Sequence, residues 1–216
     1  MRVVVFGATG MLGQGVLREC LADDRVEAVL TVGRSLTGLA HPKLREIRHA
    51  DLLDLAPVAG ELAGYDACFY CLGVSSAGMG EREYRRVTYD FTLSVAGTLA
   101  GLSPGSTFVY VSGIGADARS RTMWARVKGE TENALPALPL EVFVFRPGYI
   151  QPLHGATSRT RLYRLAYVVA APFYPILRRV FPSSVTTTEQ IGRAMIAVAA
   201  HGAPVRVLDA AAINAL

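Results

Sequence analysis

The chain is poor in cysteine. Cys20, Cys68 and Cys71 are the only three in 216 residues, too few for a disulfide framework. Cys68 and Cys71 form a C-x-x-C, but the run YDACFYCLG around them reads as a β-strand. Residues three apart on a strand point to opposite faces, so these two read as separate core residues rather than a redox or metal pair. Unpaired thiols fit a reducing compartment, and the expectation is a cytoplasmic protein. Long apolar runs are also lacking. The longest, LAYVVAAPFYPIL at 165–177, has 13 residues and two prolines, whereas a membrane-spanning helix needs about 20. The N-terminal MRVVVFGATG has no small-residue cleavage site and enters a strand and glycine turn at once, unlike a signal peptide. Nor is there an excess of one charge. Lys and Arg number 22 against 18 Asp and Glu, and a scattered net charge of +4 does not argue for nucleic acid. His41, His49, His154 and His201 show no metal-ligand spacing, and neither a G-x-S-x-G elbow nor a P-loop is present.

What the chain does have is apolar residues, at 51%, enough for a sizeable core. They fall in an alternating pattern. Strands are predicted at 3–7, 28–32, 44–49, 66–73, 107–112, 141–145 and 204–208. Helices are predicted at 11–22, about 81–100 and around 121–134, and from a capping box of Thr186 and Glu189 to a stop at Gly202. Near-continuous apolar strands separated by helices imply a parallel sheet covered on both faces. The expected fold class is therefore α/β, a doubly wound Rossmann-like sheet of about seven strands. The whole of 1–216 reads as one dinucleotide-binding domain. Residues 152–185 fit no βαβ unit and read as a lid or substrate-side insertion.

Gly7-Ala8-Thr9-Gly10-Met11-Leu12-Gly13 joins the first strand to the first helix. Glycines let a backbone turn tightly and approach a pyrophosphate, and the helix N-terminus offers it unpaired N–H groups and a partial positive charge. The end of the second strand reads Val32-Gly33-Arg34-Ser35. An NAD site places a carboxylate there for the ribose 2′-hydroxyl. Gly33 stands in that place, and Arg34 beside it can bind a 2′-phosphate bidentately, with a further contact from Ser35. NADP(H) is preferred on this reading, and NAD(H) remains compatible. The competing reading of Arg34 is a solvated surface arginine.

The spacing G-x-x-G-x-x-G, with the features below, resembles the short-chain dehydrogenase/reductase superfamily in its extended and atypical branches, and within it the small NAD(P)H-binding members of the Tat-interacting oxidoreductase type. The resemblance covers residues 1–150 well and the remainder loosely. It implies that Asp51 and Leu52 lie over the adenine, although Asp51 can equally be read as a helix N-cap. It also implies that Cys71, Leu72 and Gly73 run beside a cofactor ribose, that Pro147, in the Arg146-Pro147-Gly148 turn after the sixth strand, borders the nicotinamide, and that Ile150 lies near its carboxamide. The family's hydride chemistry pairs a proton-cycling tyrosine with a lysine four residues on, which holds the ribose, and a serine that orients the substrate oxygen. Ser112 and Lys128 match the serine and the lysine, and Thr88 stands where an asparagine is common. At the tyrosine position the chain has Trp124, its only tryptophan. An indole N–H donates but does not titrate near neutral pH, so it cannot cycle a proton. The other reading of Trp124 is a core-facing helix aromatic. Tyr89, Tyr110, Tyr149 and His154 are the other groups that could serve, and none sits in a motif that predicts it.

Two functions therefore stay open. One is an NADP(H)-dependent oxidoreductase acting on an unknown small carbonyl or quinone-like substrate. The other is a regulatory or redox-sensing module that binds NADP(H) without turnover. The basic, apolar stretch 158–182 fits a lid, a peripheral contact with an anionic membrane, or an oligomer contact, and the chain fits a monomer or a homodimer.

Overall fold

A computed structural model of the chain describes residues 1–156, 179 and 184–216. The lid segment foreseen at 152–185 and the stretch 158–182 lie for the most part outside the described residues.

Seven strands form one parallel sheet: β1 (Arg2–Phe6), β2 (Ala28–Gly33), β3 (Leu44–Arg48), β4 (Ala67–Tyr70), β5 (Thr107–Val111), β6 (Glu141–Arg146) and, at the far edge, β9 (Val207–Asp209). Their order is β3-β2-β1-β4-β5-β6-β9. The sheet reverses direction of growth between β1 and β4, and at that switch point the loops from adjacent strand ends diverge and leave a crevice. A second, two-stranded parallel sheet pairs β7 (Tyr149–Gln151) with β8 (Val185–Thr187). No sequence pattern marks this small sheet, because a three-residue strand carries too little periodicity to be seen.

Alternation along the strands divides the core. Val3 and Val5 face one cluster with α1 (Met11–Ala22), α6 (Thr188–His201) and the short α7 (Ala210–Asn214). Val4 and Phe6 face the other, with α2 (Ala59–Leu62), α4 (Phe91–Leu102) and Leu135, which opens the 3-10 turn after α5 (Met123–Ala134). Cys68 belongs to the second cluster and Cys71 packs against the first, as the strand reading of C-x-x-C requires. The cysteines are all unpaired.

Two predicted helices differ in detail. The helix foreseen at about 81–100 is α3 (Glu81–Arg85), a π-turn (Arg86–Asp90) and α4 in sequence. The Phe91 N–H reaches back five residues to the Arg86 carbonyl, a widened turn of the kind often found at functional sites. The capping box sits one residue later than expected. Thr187 is the N-cap and accepts from the Gln190 N–H at 2.9 Å, while Thr186 is buried on β8 with its hydroxyl on Asn214. Three consecutive threonines offered the same cap chemistry, and strand pairing took the first of them. The connection from β2 to β3 contains no helix.

Candidate functional site: the strand ends around the glycine turn

The glycine turn is held by backbone contact. Gly7 has φ +83°, and a Cβ there would come within 2.6 Å of the Leu72 nitrogen at the end of β4. A Cβ on Gly13 would lie 2.1 Å from the Gly7 carbonyl oxygen. Only glycine permits either approach. The turn closes with the Gly10 N–H donating to the Gly7 carbonyl at 2.9 Å. Helix α1 then begins at Met11 with Gly10 as N-cap and no capping side chain, and its first turn carries no acid. The N-terminal N–H groups and the positive end of the dipole are thus left for an anion.

Beside this turn lies a cleft of about 430 Å³. Gly7, Thr9, Arg34, Ser35, Leu52 and Leu72, all expected at a cofactor site, line it together. Arg34 is exposed and makes no ion pair among the described residues. Asp51 is not part of the lining. Its carboxylate accepts from the Leu53 N–H at 3.0 Å in a local turn, and the next helical turn starts only at Ala56, so it is not a helix N-cap. Cys71 and Gly73 flank the cleft, and nothing lies within 4 Å of where a Gly73 Cβ would be. The opposite wall, Arg86, Val87 and Phe91, comes from the π-turn and the start of α4. Sequence reasoning missed this wall because a π-turn leaves no composition signal. The Arg86 guanidinium lies 5.8 Å from the centre of the Phe91 ring.

Farther along the sheet, β5 and β6 end side by side. The Ser112 N–H donates to the Phe145 carbonyl at 2.8 Å, and the Ile114 N–H to the Pro147 carbonyl at 3.2 Å. Gly148 passes so close to Ser184 that a Cβ would lie 2.4 Å from its oxygen, and Ile150 follows on β7 against the core. Ser112 is buried, and its Oγ has no hydrogen-bond partner among the described residues. The Lys128 ammonium donates to the Val111 carbonyl at 3.2 Å and lies 5.6 Å from the centre of the Tyr110 ring. Ser112 and Lys128 thus meet at one peptide unit. Lys128 is half-buried, and desolvation lowers its pKa to about 8 against a smaller upward pull from Glu132. Glu132 itself is held by a two-pronged bond from Arg146.

Trp124 starts the same helix one turn before Lys128 and is half-buried. Its ring edge lies 3.6 Å from where a Cβ on Gly115 would be, over the loop that leaves Ser112. It is therefore not a core-cluster residue. Thr88 is buried in the π-turn, where its carbonyl accepts from the Thr92 and Thr131 hydroxyls. The other candidate proton donors are placed elsewhere. Tyr110 is 1% exposed, and burial pushes its pKa far up. The Tyr149 hydroxyl donates to Gln151 at 2.8 Å, Tyr89 lies under Arg85, and His154 pairs with Glu189. Among the described residues no cluster of His, Cys, Asp and Glu could hold a metal, and no helix is long and apolar enough to cross a membrane.

No family model matches the chain. Curated proteins do. The chain is 29% identical over 155 residues to the protein FMP52-1, mitochondrial, of Scheffersomyces stipitis, covering 69% of this chain and 67% of that one. It is 30% identical over 151 residues to the protein HTATIP2 of Rattus norvegicus, covering 68% of this chain and 62% of that one. The match thus spans about two thirds of the relatives' length. Among solved structures, it superposes on a dTDP-glucose 4,6-dehydratase from Streptomyces venezuelae with NAD bound, at a TM-score of 0.68 and 18% identity over 94% of this chain and 73% of that one. It superposes equally on WbmF of Bordetella bronchiseptica in complex with NAD+, with a TM-score of 0.68 and 18% identity over 99% of this chain and 76% of that one. These likenesses establish the fold. The cytoplasmic expectation is overturned, because the FMP52 relatives are named as mitochondrial proteins. Free cysteines call for a reducing compartment without saying which one.

Proposed function

We propose that the chain is an atypical member of the short-chain dehydrogenase/reductase superfamily, and that it is an NADP(H)-binding oxidoreductase for a carbonyl or quinone-like substrate, working without the family's tyrosine acid. The observation that carries the reading is the glycine turn pressed against β4 beneath an uncapped α1, which opens into the cleft that Arg34 and Ser35 line. These residues fit a dinucleotide. The N-terminal N–H groups of α1 receive the pyrophosphate, Leu52 and Leu72 enclose the adenosine, and Arg34 pairs with a 2′-phosphate. Such a cofactor supplies a hydride when bound.

The remaining roles fall to side chains at the ends of β5 and β6. The Ser112 hydroxyl, without a partner among the described residues, donates to a substrate oxygen. Lys128 holds the nicotinamide ribose, and its ammonium keeps positive charge next to that serine. Trp124 occupies the tyrosine's place on α5 and can stack or donate one hydrogen bond but not cycle a proton. A polarised acceptor such as a quinone asks least of a protein acid. We read 1–216 as one domain, with 152–185 as its substrate-side insertion.

The half-buried Trp124 beside the Ser112 loop also favours a second reading, a module that binds NADP(H) and turns nothing over. One substitution separates the two. Trp124→Tyr restores the family's acid beside Lys128, and NADPH-dependent reduction of a carbonyl panel is expected to rise at least tenfold over the native protein. If native protein already reduces quinones and Ser112→Ala abolishes this, the enzyme reading holds. If NADPH binds tightly and neither protein reduces any acceptor, the binding module replaces it. NADPH that fails to quench Trp124 fluorescence, with binding shown by calorimetry, would remove Trp124 from the nicotinamide end.

A further inference from the structure

A second hollow, of about 750 Å³, lies along the flank of α1 and meets the glycine turn at Ala8 and Thr9. Its origin is the connection between β2 and β3. Neighbouring parallel strands are ordinarily joined by a helix that packs on the sheet beside its predecessor, but residues 34–43 contain none. The space a helix would fill is bounded instead by α1, by the bare connection, and by the turn at 153–156. Five leucines face it: Leu17, Leu21, Leu36, Leu39 and Leu153. Leu36 and Leu39 are 52% and 56% exposed, although they sit beside an apolar wall on which they could have folded down. The rim is basic. Arg18, His41 and His154 border the hollow, and no aspartate or glutamate is among its described lining residues. Arg18 pairs with Glu19 at 2.5 Å and His154 with Glu189 at 2.6 Å, and neither acid lines the hollow among the described residues.

The turn that closes the hollow is also unusual. His154 has φ +54°, the only non-glycine residue in the left-handed region among the described residues, and Gly155 follows at φ +78°. Such a conformation is disfavoured for a side-chain-bearing residue and persists where surrounding contacts impose it. Here the His154 Nε2 lies 2.6 Å from the Glu189 carboxylate, and the Leu153 N–H donates to the Thr188 hydroxyl at 3.1 Å. The fold thus holds a histidine and a leucine at the mouth of an apolar hollow.

We propose that this hollow binds a single linear aliphatic carboxylate of fatty-acid type, its chain along the leucines and its head at the basic rim. The volume lies within the range of small-molecule sites, and an apolar wall under a rim that offers Arg18, His41 and His154 as donors, with no acid among its described lining residues, matches that amphiphile in polarity. Only Ala8 and Thr9 are shared with the cleft beside the glycine turn, and the proposal stands whether or not that cleft takes NADP(H).

The test is calorimetric titration of the full chain with lauric acid below its micellar concentration, with and without saturating NADPH. One saturable site is expected, with dodecanol binding several-fold more weakly. Leu36→Asp and Leu39→Asp should each weaken laurate at least about tenfold while leaving the thermal midpoint and NADPH affinity unchanged, since both side chains are already half exposed. The proposal is overturned by the absence of saturable heat, by variants that bind laurate like the native protein, or by dodecanol binding as tightly. It is overturned equally if 2′,5′-ADP displaces laurate, because the hollow would then be an arm of the cofactor cleft. A chain that binds laurate as described but not NADPH would sink the cofactor reading and leave this one standing.

Discussion

At the β1–β4 end of the strand edge the chain holds its shape with backbone, and at the β5–β6 end it relies on side chains. Around Gly7 and Gly13, carbonyls and amides lie closer than any Cβ allows. Around Ser112, what decides the chemistry is a hydroxyl, an ammonium and an indole on one strand end and one helix. A backbone site can lose its glycines only by losing its fold. A side-chain site can exchange a tyrosine for a tryptophan with the helix intact. On the proposed reading, that difference is how the chain would keep a dinucleotide cradle while its proton chemistry changes.

Stability measurements should break the two ends differently. Gly13→Ala pushes a methyl into the Gly7 carbonyl and is expected to destabilise by about 3 kcal/mol in urea titrations and to abolish dinucleotide binding. Gly73→Ala, which meets nothing within 4 Å, should change stability by less than about 0.5 kcal/mol and still weaken NADPH. Equal stability losses for the two would refute the close-packed turn. At the other end, Arg146→Ala strands the Glu132 carboxylate, which is 7% exposed. A broken buried pair costs about 3–5 kcal/mol, and with Arg146 partly in solvent about 2–3 kcal/mol is expected, with Glu132→Gln milder.

The backbone end was the legible one. Glycine spacing after an apolar strand states a geometric need, and the structure meets it at Gly7 and Gly13. Seven parallel strands were readable because buried strands are continuously apolar. The other features left weaker traces. The π-turn that supplies Arg86 and Phe91 uses ordinary helix residues. The β7–β8 pair is three residues long on each side. Asp51 read equally as a cap or a ligand group, and its carboxylate went to a local turn instead. Lys128 and Ser112 were readable as residues, but their meeting at the Val111 carbonyl was not.

Arg34 sharpens the comparison inside the backbone end, because the proposed NADP(H) preference rests on it. Arg34→Ala should weaken NADPH roughly ten- to a hundredfold, the worth of a charge-assisted contact of about 1.5–3 kcal/mol, and leave NADH within about twofold. Calorimetry with both cofactors checks this. Equal losses for the two would mean that Arg34 touches a group they share.

The smallest effect tests the side-chain end through pH. Desolvation lowers the Lys128 pKa to about 8, below the value of about 10.4 for a free lysine in the unfolded chain. Below pH 8 both states carry the proton, and the folded state bears the full penalty of burying it. Between about pH 8 and 10.4 the unfolded chain binds more protons than the folded one, so this group's contribution to stability rises with pH. Lys128→Met removes the penalty. At pH 7 the variant should therefore be the more stable, set against the lost bond to the Val111 carbonyl. From pH 7 to 10 the balance should shift by on the order of 1–2 kcal/mol toward the native protein, allowing for the partial exposure of the side chain. Bound NADPH, with its phosphates, should raise the Lys128 pKa and flatten that shift. Urea midpoints of the two proteins at both pH values, with and without NADPH, give the result. A balance that does not move with pH would mean that the ammonium stays hydrated, and a shift that NADPH leaves unchanged would place Lys128 away from the cofactor.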